Sequence, residues 1–273
     1  MGVATTTRSV PWWLRAYLIQ GGLNALAIGF LGLFAPASIH LMLPLRVMPL
    51  GARVVAALYL AAALGVIISA FVRDPGDAAI FVIGFGLATG LLLIQTLIHW
   101  EQYSVNRVYY GWVGIYIIDP ILAFLIVVAL RHQFVQPFMR HQLTWPFIIE
   151  GVILGSVGLL LLLTPDVASA VWPWKISPLV GQLYSSFFLT FAVGALLAAG
   201  ESRAAAIRNF TITSLGLMIL VLVSSLLHLP AFKPKIATWL WFGALIGGAG
   251  VFWWVLMGLK PIEQSEQGPV RPN

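Results

Sequence analysis

Apolar residues fill stretches of about 20 positions, give way to short polar or proline-rich links, and resume, eight times along the chain. The stretches are 14–34, 51–71, 78–98, 109–130, 146–164, 180–199, 210–229 and 237–258. A helix of about 20 apolar residues covers the roughly 30 Å of a bilayer's hydrocarbon core. Lipid offers no partner to a backbone amide, so each stretch satisfies its hydrogen bonds internally, as a helix. The stretches are continuous rather than alternating with period two, which argues against a membrane barrel.

The pattern repeats on a larger scale. A shift of 129 residues carries Pro36, Pro44 and Pro49 onto Pro165, Pro173 and Pro178. The same shift carries Arg46 onto Lys175, Gly65 onto Gly194, Phe81 onto Phe210, His99 onto His228 and Trp112 onto Trp241. Leucine matches would mean little in so apolar a chain, but coincident prolines, histidines and tryptophans point to duplication. The predicted fold is an all-α integral membrane protein of eight transmembrane helices, arranged as two tandem parallel four-helix repeats. The predicted divisions are a first repeat over 1–133, an inner connector over 134–144, a second repeat over 145–260 and a disordered polar tail over 261–273. An even number of spans per copy puts both copies in the bilayer the same way up.

Composition agrees with the pattern. Of 273 residues, 60% are hydrophobic and 9% charged, against roughly 25% charged in soluble domains. The net charge of +6 comes from basic residues scattered between spans. It is therefore read as a topology signal and lipid-headgroup contact rather than a nucleic-acid surface. Placing both termini inside gives nine Lys and Arg on the inner side and six on the outer. That bias predicts a multi-pass protein of the plasma or inner membrane with cytoplasmic termini. Gly2 and Thr6 match a loose acylation pattern that a spanning chain does not need. The first span imitates a signal peptide, but its counterpart 146–164 lies mid-chain, so it is kept as a span.

Two links share proline, spacing and a basic residue: SIHLMLPLRVMPLGAR (38–53) and VASAVWPWKISPLVGQ (167–182). Prolines there stop one helix and stiffen the path to the next. Trp172, Trp174, Arg46 and Lys175 suit the membrane interface, which predicts an elbow in the headgroup layer that doubles as a paired lid.

Candidate chemistry is sparse. Asp119 lies near the middle of its span, where a carboxyl group is costly and so faces the bundle interior. Pro120 removes the donor that would otherwise reach the Tyr116 carbonyl. Asp119 and Tyr116, with Asn24 and Gln95 from other spans, form the predicted substrate or ion site; Gln20 and Thr96 extend a polar path. Asp119 aligns with Gly248, beside the Gly243–Gly247 spacing that lets helices approach closely. If the fourth and eighth spans meet on the pseudo-axis, the acid faces the space that glycine leaves. Gly86–Gly90 reads as a second packing seam, and Phe252, Trp253 and Trp254 as an inner aromatic belt. Glu150 snorkels or pairs with a basic residue of the connector. His99 and His228, at equal depth, carry a subordinate reading as haem or metal ligands. Arg131, His132, Arg140 and His141 read as an inner charge anchor.

No cysteine is present, and no nucleotide-binding, zinc-protease or serine-hydrolase motif occurs, so no cofactor is predicted and the chain does not read as an enzyme. Three functions are ranked: a small-solute or ion transporter or channel at Asp119; an accessory subunit of a larger membrane complex; and a haem-binding or lipid-modifying enzyme. The predicted partners are the bilayer and other membrane subunits, not nucleic acid.

Overall fold

Long apolar stretches become long helices. The structure, a computed structural model, describes residues 9–45, 47–135 and 143–266, with side chains as far as Leu259. Eight helices dominate: α1 (Trp12–Phe34), α2 (Pro49–Ala70), α3 (Ala79–Ile98), α4 (Arg107–Ala129), α5 (Thr144–Leu163), α6 (Pro178–Ala199), α7 (Ala204–Leu226) and α8 (Ile236–Glu266). All eight are long and apolar enough to cross a membrane, and no strand occurs among the described residues. The protein is a polytopic membrane protein.

Local chemistry sets the helix ends. Pro49 and Pro178 open α2 and α6, where a missing backbone donor costs nothing. The Asn106 side chain accepts from the Tyr109 amide at the start of α4, and Ser177 accepts from Val180 at the start of α6. Two boundaries depart from the hydropathy reading. α7 begins at Ala204, not 210, because three alanines are strong helix formers and Arg208, exposed, reaches out to polar surroundings. α8 continues to Glu266, into the stretch expected as a tail: Glu263, Gln264 and Glu266 favour helix, and hydropathy marks where lipid ends, not where a helix must. Residues 136–142, with Arg140 and His141, and the last seven residues lie outside the described residues.

The bundle has an inner four and an outer four. α2 and α6 are the most buried, α3 and α7 next, and the rest are outer. Each outer helix rides on one inner helix: α1 on α2, α5 on α6, α4 on α3, α8 on α7. Inside, α2 packs on α7 and α3 on α6. α4 and α8, whose meeting on the pseudo-axis would have set Asp119 against Gly248, ride mainly on different inner helices.

Close approach depends on glycine. Gly22 and Gly29 of α1 admit Ile67 and Leu60 of α2, and Gly151 and Gly158 of α5 admit Leu196 and Leu189 of α6. Gly65 receives the ring of Phe81, and Gly194 the ring of Phe210. Gly86 of α3 lies against Ala123 of α4, and Gly90 against Pro120. The Gly243–Gly247 seam is not formed: nothing lies within 4 Å of a Cβ built at either position. α8 instead turns Leu245, Phe252, Val255 and Leu259 inward, so Phe252 packs on Phe147 while Trp253 and Trp254 face outward.

Several hydrogen bonds recur 129 residues apart. Trp112 Nε1 donates to Thr96 Oγ1 at 2.9 Å, and Trp241 Nε1 to Ser225 Oγ at 3.0 Å. The Ser104 amide donates to the Pro44 carbonyl at 2.9 Å, and the Lys233 amide to the Pro173 carbonyl at 2.8 Å. Arg53 Nε donates to the Leu33 carbonyl at 3.0 Å, and Gln182 Nε2 to the Leu162 carbonyl at 2.9 Å.

The proline-rich links pack against the bundle rather than standing clear of it. Ile39, Leu43 and Leu45 are buried in the first. In the second, Trp172 and Trp174 are buried against Trp241, with ring centroids 5.6 and 5.0 Å away. A stiff apolar link loses less entropy on packing than a flexible one, and the amide-to-carbonyl bonds to Pro44 and Pro173 fasten each link to the turn after α3 or α7. Lys175 is exposed; Arg46 lies outside the described residues.

Candidate functional site

One face of α4 carries Trp112, Tyr116, Asp119, Ala123 and Ile126, all buried. Their spacing of four and three residues is that of an inward helix stripe. Three neighbours hold this face. Tyr17 Oη of α1 donates to the Asp119 carbonyl at 3.1 Å. The hydroxyls of Tyr59 (α2) and Tyr116 lie 2.5 Å apart. The Trp112 indole reaches Thr96 of α3. α4 thus touches all three other helices of the first half through polar groups inside an apolar bundle.

Asp119 is 3% exposed, and its Oδ2 is buried with no hydrogen-bond partner. Two cavities meet at it. The inner one, about 320 Å³, is lined by α1–α4, by Leu41 and Met42 of the first proline-rich link and by one residue of α6; its walls include Asn24, Tyr59, Phe85, Trp112, Tyr116 and Phe187. The outer one, about 660 Å³, is a cleft between α1 and α4 lined by Trp13, Tyr17, Gln20, Ile118 and Leu122 among others. Ile115 and Asp119 belong to both linings. No Lys, Arg or His lines either cavity. A buried acid with a vacant acceptor and no basic neighbour in its walls can take a proton, a cation or a hydrogen-bond donor from an incoming ligand.

Of the predicted site residues, Asp119, Tyr116 and Asn24 come together. Gln95 does not join them: it is fully buried on α3, both amide atoms lack partners, and it lies outside both linings. Gln20 lines the outer cleft. Tyr17, Tyr59 and Phe187 are additions. Tyr17 and Tyr59 carried a signal, as hydroxyl groups inside apolar runs; Phe187 carried none, since a phenylalanine in a membrane helix is ordinary.

The histidines belong to the junction between halves. His99 hydrogen-bonds the Gln182 side chain of α6 and, through Nδ1, Gln102. The Arg53 guanidinium of α2 lies 3.3 and 3.2 Å from the two ring nitrogens of His228. Among the described residues no group of three or more His, Asp or Glu could hold a metal ion. Glu150, expected to pair with the connector, is buried and accepts from Ser214 Oγ of α7 at 3.2 Å, leaving Oε1 without a partner. At the α6–α7 turn, Arg203 pairs with Glu201 at 2.6 Å and donates to the Gln133 carbonyl at 3.0 Å. Comparison of the chain with known families, curated proteins and solved structures finds no match.

Proposed function

We propose that this chain is a small-solute or ion carrier, or a channel-like protein, whose binding site is the cavity at Asp119. The observation that carries the reading is the vacant, buried Oδ2 of Asp119 at the meeting point of two cavities. Uncompensated polar groups at membrane depth are costly, and ligand pathways are where that cost is met. The site lies within the first four helices, not on a central axis.

The same reading takes the chain as two copies of a four-helix unit, each containing four spans, with both termini cytoplasmic. What supports duplication is the recurrence, at one spacing, of the indole, link-to-turn and helix-end hydrogen bonds. The packing is likewise paired: outer on inner helix within each copy, and α2 on α7 matched by α6 on α3. Phe187 of the second copy closes the cavity of the first, so relative motion of the copies alters the site. That is the geometry a gated carrier requires.

A second reading, an accessory subunit of a membrane complex, is favoured by one feature. Gly243 and Gly247 of α8 face outward beside exposed Trp239 and Leu240, a surface that admits a neighbouring helix.

The test is flux of protons, Na⁺ and K⁺ into vesicles holding the purified protein, compared with Asp119→Asn. Loss of a flux in a folded variant supports the carrier. Equal behaviour of both proteins, together with stable co-purification of another membrane protein, supports the subunit.

A further inference from the structure

We infer that the Asp119 cavity takes an organic ammonium ion on an apolar frame, and that this ligand arrives sideways from the lipid between α1 and α4. The inference rests on Asp119 being a binding site and names what the site binds.

Charge is the first argument. The lining of both cavities contains one carboxyl group and no basic side chain, so the balancing charge comes from the ligand. The second argument separates an organic cation from a metal ion. A bare metal ion needs several oxygen ligands to replace its water. The inner cavity sets one carboxyl group among neutral oxygens, the Asn24 amide and the hydroxyls of Thr89, Tyr59 and Tyr116, whose protons go to the Phe85 carbonyl or are shared between the two tyrosines. The walls are instead aromatic: Tyr59, Phe85, Trp112, Tyr116 and Phe187. Ring faces attract ammonium groups, most strongly where water is excluded, and about 320 Å³ is the space of an organic molecule.

The route follows from how the outer helices are fastened. α1 is tied to α2 through Gly22 and Gly29, and α4 to α3 through Gly86 and Gly90. The hydrogen bond between α1 and α4 is the one from Tyr17 to the Asp119 carbonyl. The gap between them is the 660 Å³ cleft, floored by Asp119 and lined on its outer part by Trp13, Ala16, Ile118 and Leu122. Trp13 and Ile118 are exposed on the bundle's outer surface, where the lipid lies. An amphiphile dissolved in the bilayer reaches the acid there without crossing either turn region.

The test uses the full chain in phosphatidylcholine nanodiscs and two probes of one shape, benzyltrimethylammonium and its uncharged isostere neopentylbenzene. Equilibrium dialysis against empty nanodiscs measures saturable binding. The ammonium is expected to bind at least about tenfold tighter than the isostere, since each tenfold is a modest ionic contribution. Asp119→Asn is expected to lower its affinity about thirtyfold, the effect of removing one partner of a desolvated charge pair. The comparison of probes on the unaltered protein needs no variant to fold. Ala16→Phe, which fills the cleft, is expected to slow ammonium exchange at least about tenfold with little change in affinity, since a narrowed route slows entry and exit alike. Equal binding of the two probes overturns the ligand class, and unchanged exchange in Ala16→Phe overturns the lateral route. Sodium or potassium binding that depends on Asp119, without ammonium binding, sinks this inference and leaves the ion-carrier reading standing. Absence of any Asp119-dependent binding removes both.

Discussion

The seam between α3 and α4 holds the acid in place, and one methyl group should loosen it. A Cβ at Gly86 falls 2.4 Å from the Ala123 Cβ, with the Pro120 Cα also near. Carbon atoms rest about 3.5–4.0 Å apart, so α4 would have to withdraw by more than about 1 Å. Neither contacting atom is the far end of a flexible chain; both are fixed to helical backbone. Overpacking of this kind costs about 1–3 kcal/mol. Against it stands about 0.5–1 kcal/mol gained when alanine replaces glycine inside a helix. Gly86→Ala should therefore be net destabilising by about 1 kcal/mol, a fall of roughly 2–4 °C in Tm for a chain of this size. Gly84→Ala is the control: its Cβ would meet the Thr190 methyl at 3.5 Å, an ordinary contact, so it should be neutral or slightly stabilising. Ala123→Gly placed on top of Gly86→Ala restores the clearance and should recover most of the loss, a coupling that distant sites do not show. The assay is thermal unfolding in mild detergent, with ammonium binding measured alongside, because displacement of α4 displaces Asp119. The reasoning fails if Gly86→Ala melts at or above the parent, or if Ala123→Gly makes the double variant worse.

Three further outcomes are expected. Tyr17→Phe removes the bond from α1 to the Asp119 carbonyl; it should cost about 1 kcal/mol, seen in thermal unfolding, and speed ligand exchange through the cleft. Arg53→Gln reproduces at the α2–His228 contact the chemistry that Gln182 supplies to His99, so its Tm should stay near the parent, whereas Arg53→Leu, which takes the donor from the half-buried Leu33 carbonyl and the guanidinium from His228, should lose about 1 kcal/mol. Burial alone would raise the Glu201 carboxyl, but Arg203 and the amides of 202 and 203 outweigh it and hold Glu201 below its ordinary 4.5. The stability from a depressed carboxyl is present above the unfolded value and lost as pH falls from there through the lower folded value; Tm should drop below about pH 4.5 in the parent, and Glu201→Gln should flatten that decline.

Much of the fold was legible because lipid imposes one rule on every span: close the backbone hydrogen bonds in a helix. The eight runs gave eight helices with ends shifted by a few residues. Proline marked the starts of α2 and α6, and Asn106 and Ser177 capped α4 and α6, as their side-chain chemistry dictates. Helix neighbours were less legible. In water, the apolar face of a helix announces what it packs against; in lipid both faces are apolar. The Gly243–Gly247 spacing thus read as a seam yet faces outward, while the working contacts use Gly22, Gly29 and Gly86. Asp119 was legible because a carboxyl group at membrane depth admits few settings. Phe85 and Phe187 beside it were not, since a phenylalanine in such a chain carries no positional signal until the helices are assembled. Trp172 and Trp174 read as interface residues from their chemistry alone; their contact with Trp241 of the last helix carries no local signal.

The two halves differ where their polarity lies, and the differences are compensated position by position. In the first half Gly21 of α1 leaves room for the Phe85 ring of α3. At the matching positions 150 and 214 of the second half, Glu150 of α5 accepts a hydrogen bond from Ser214 of α7. Large has become small on one helix and small has become large on the other, which conserves volume while turning an apolar contact into a polar one. In the fourth helix of each half the exchange runs the other way: Tyr116 and Asp119 correspond to Leu245 and Gly248, and Tyr17, which holds Asp119 by its carbonyl, corresponds to Pro146. Within the eight long helices as far as Leu259, each half therefore holds one carboxyl group, but in different helices. The Asp119 side opens to a cleft and the Glu150 side is closed by Leu196 packed on Gly151. On the proposed reading of a doubled frame with one binding site, an open acid in one half and a buried, hydrogen-bonded acid in the other is what selection would leave, because a second open site would add the cost of another uncompensated buried carboxyl without adding a route.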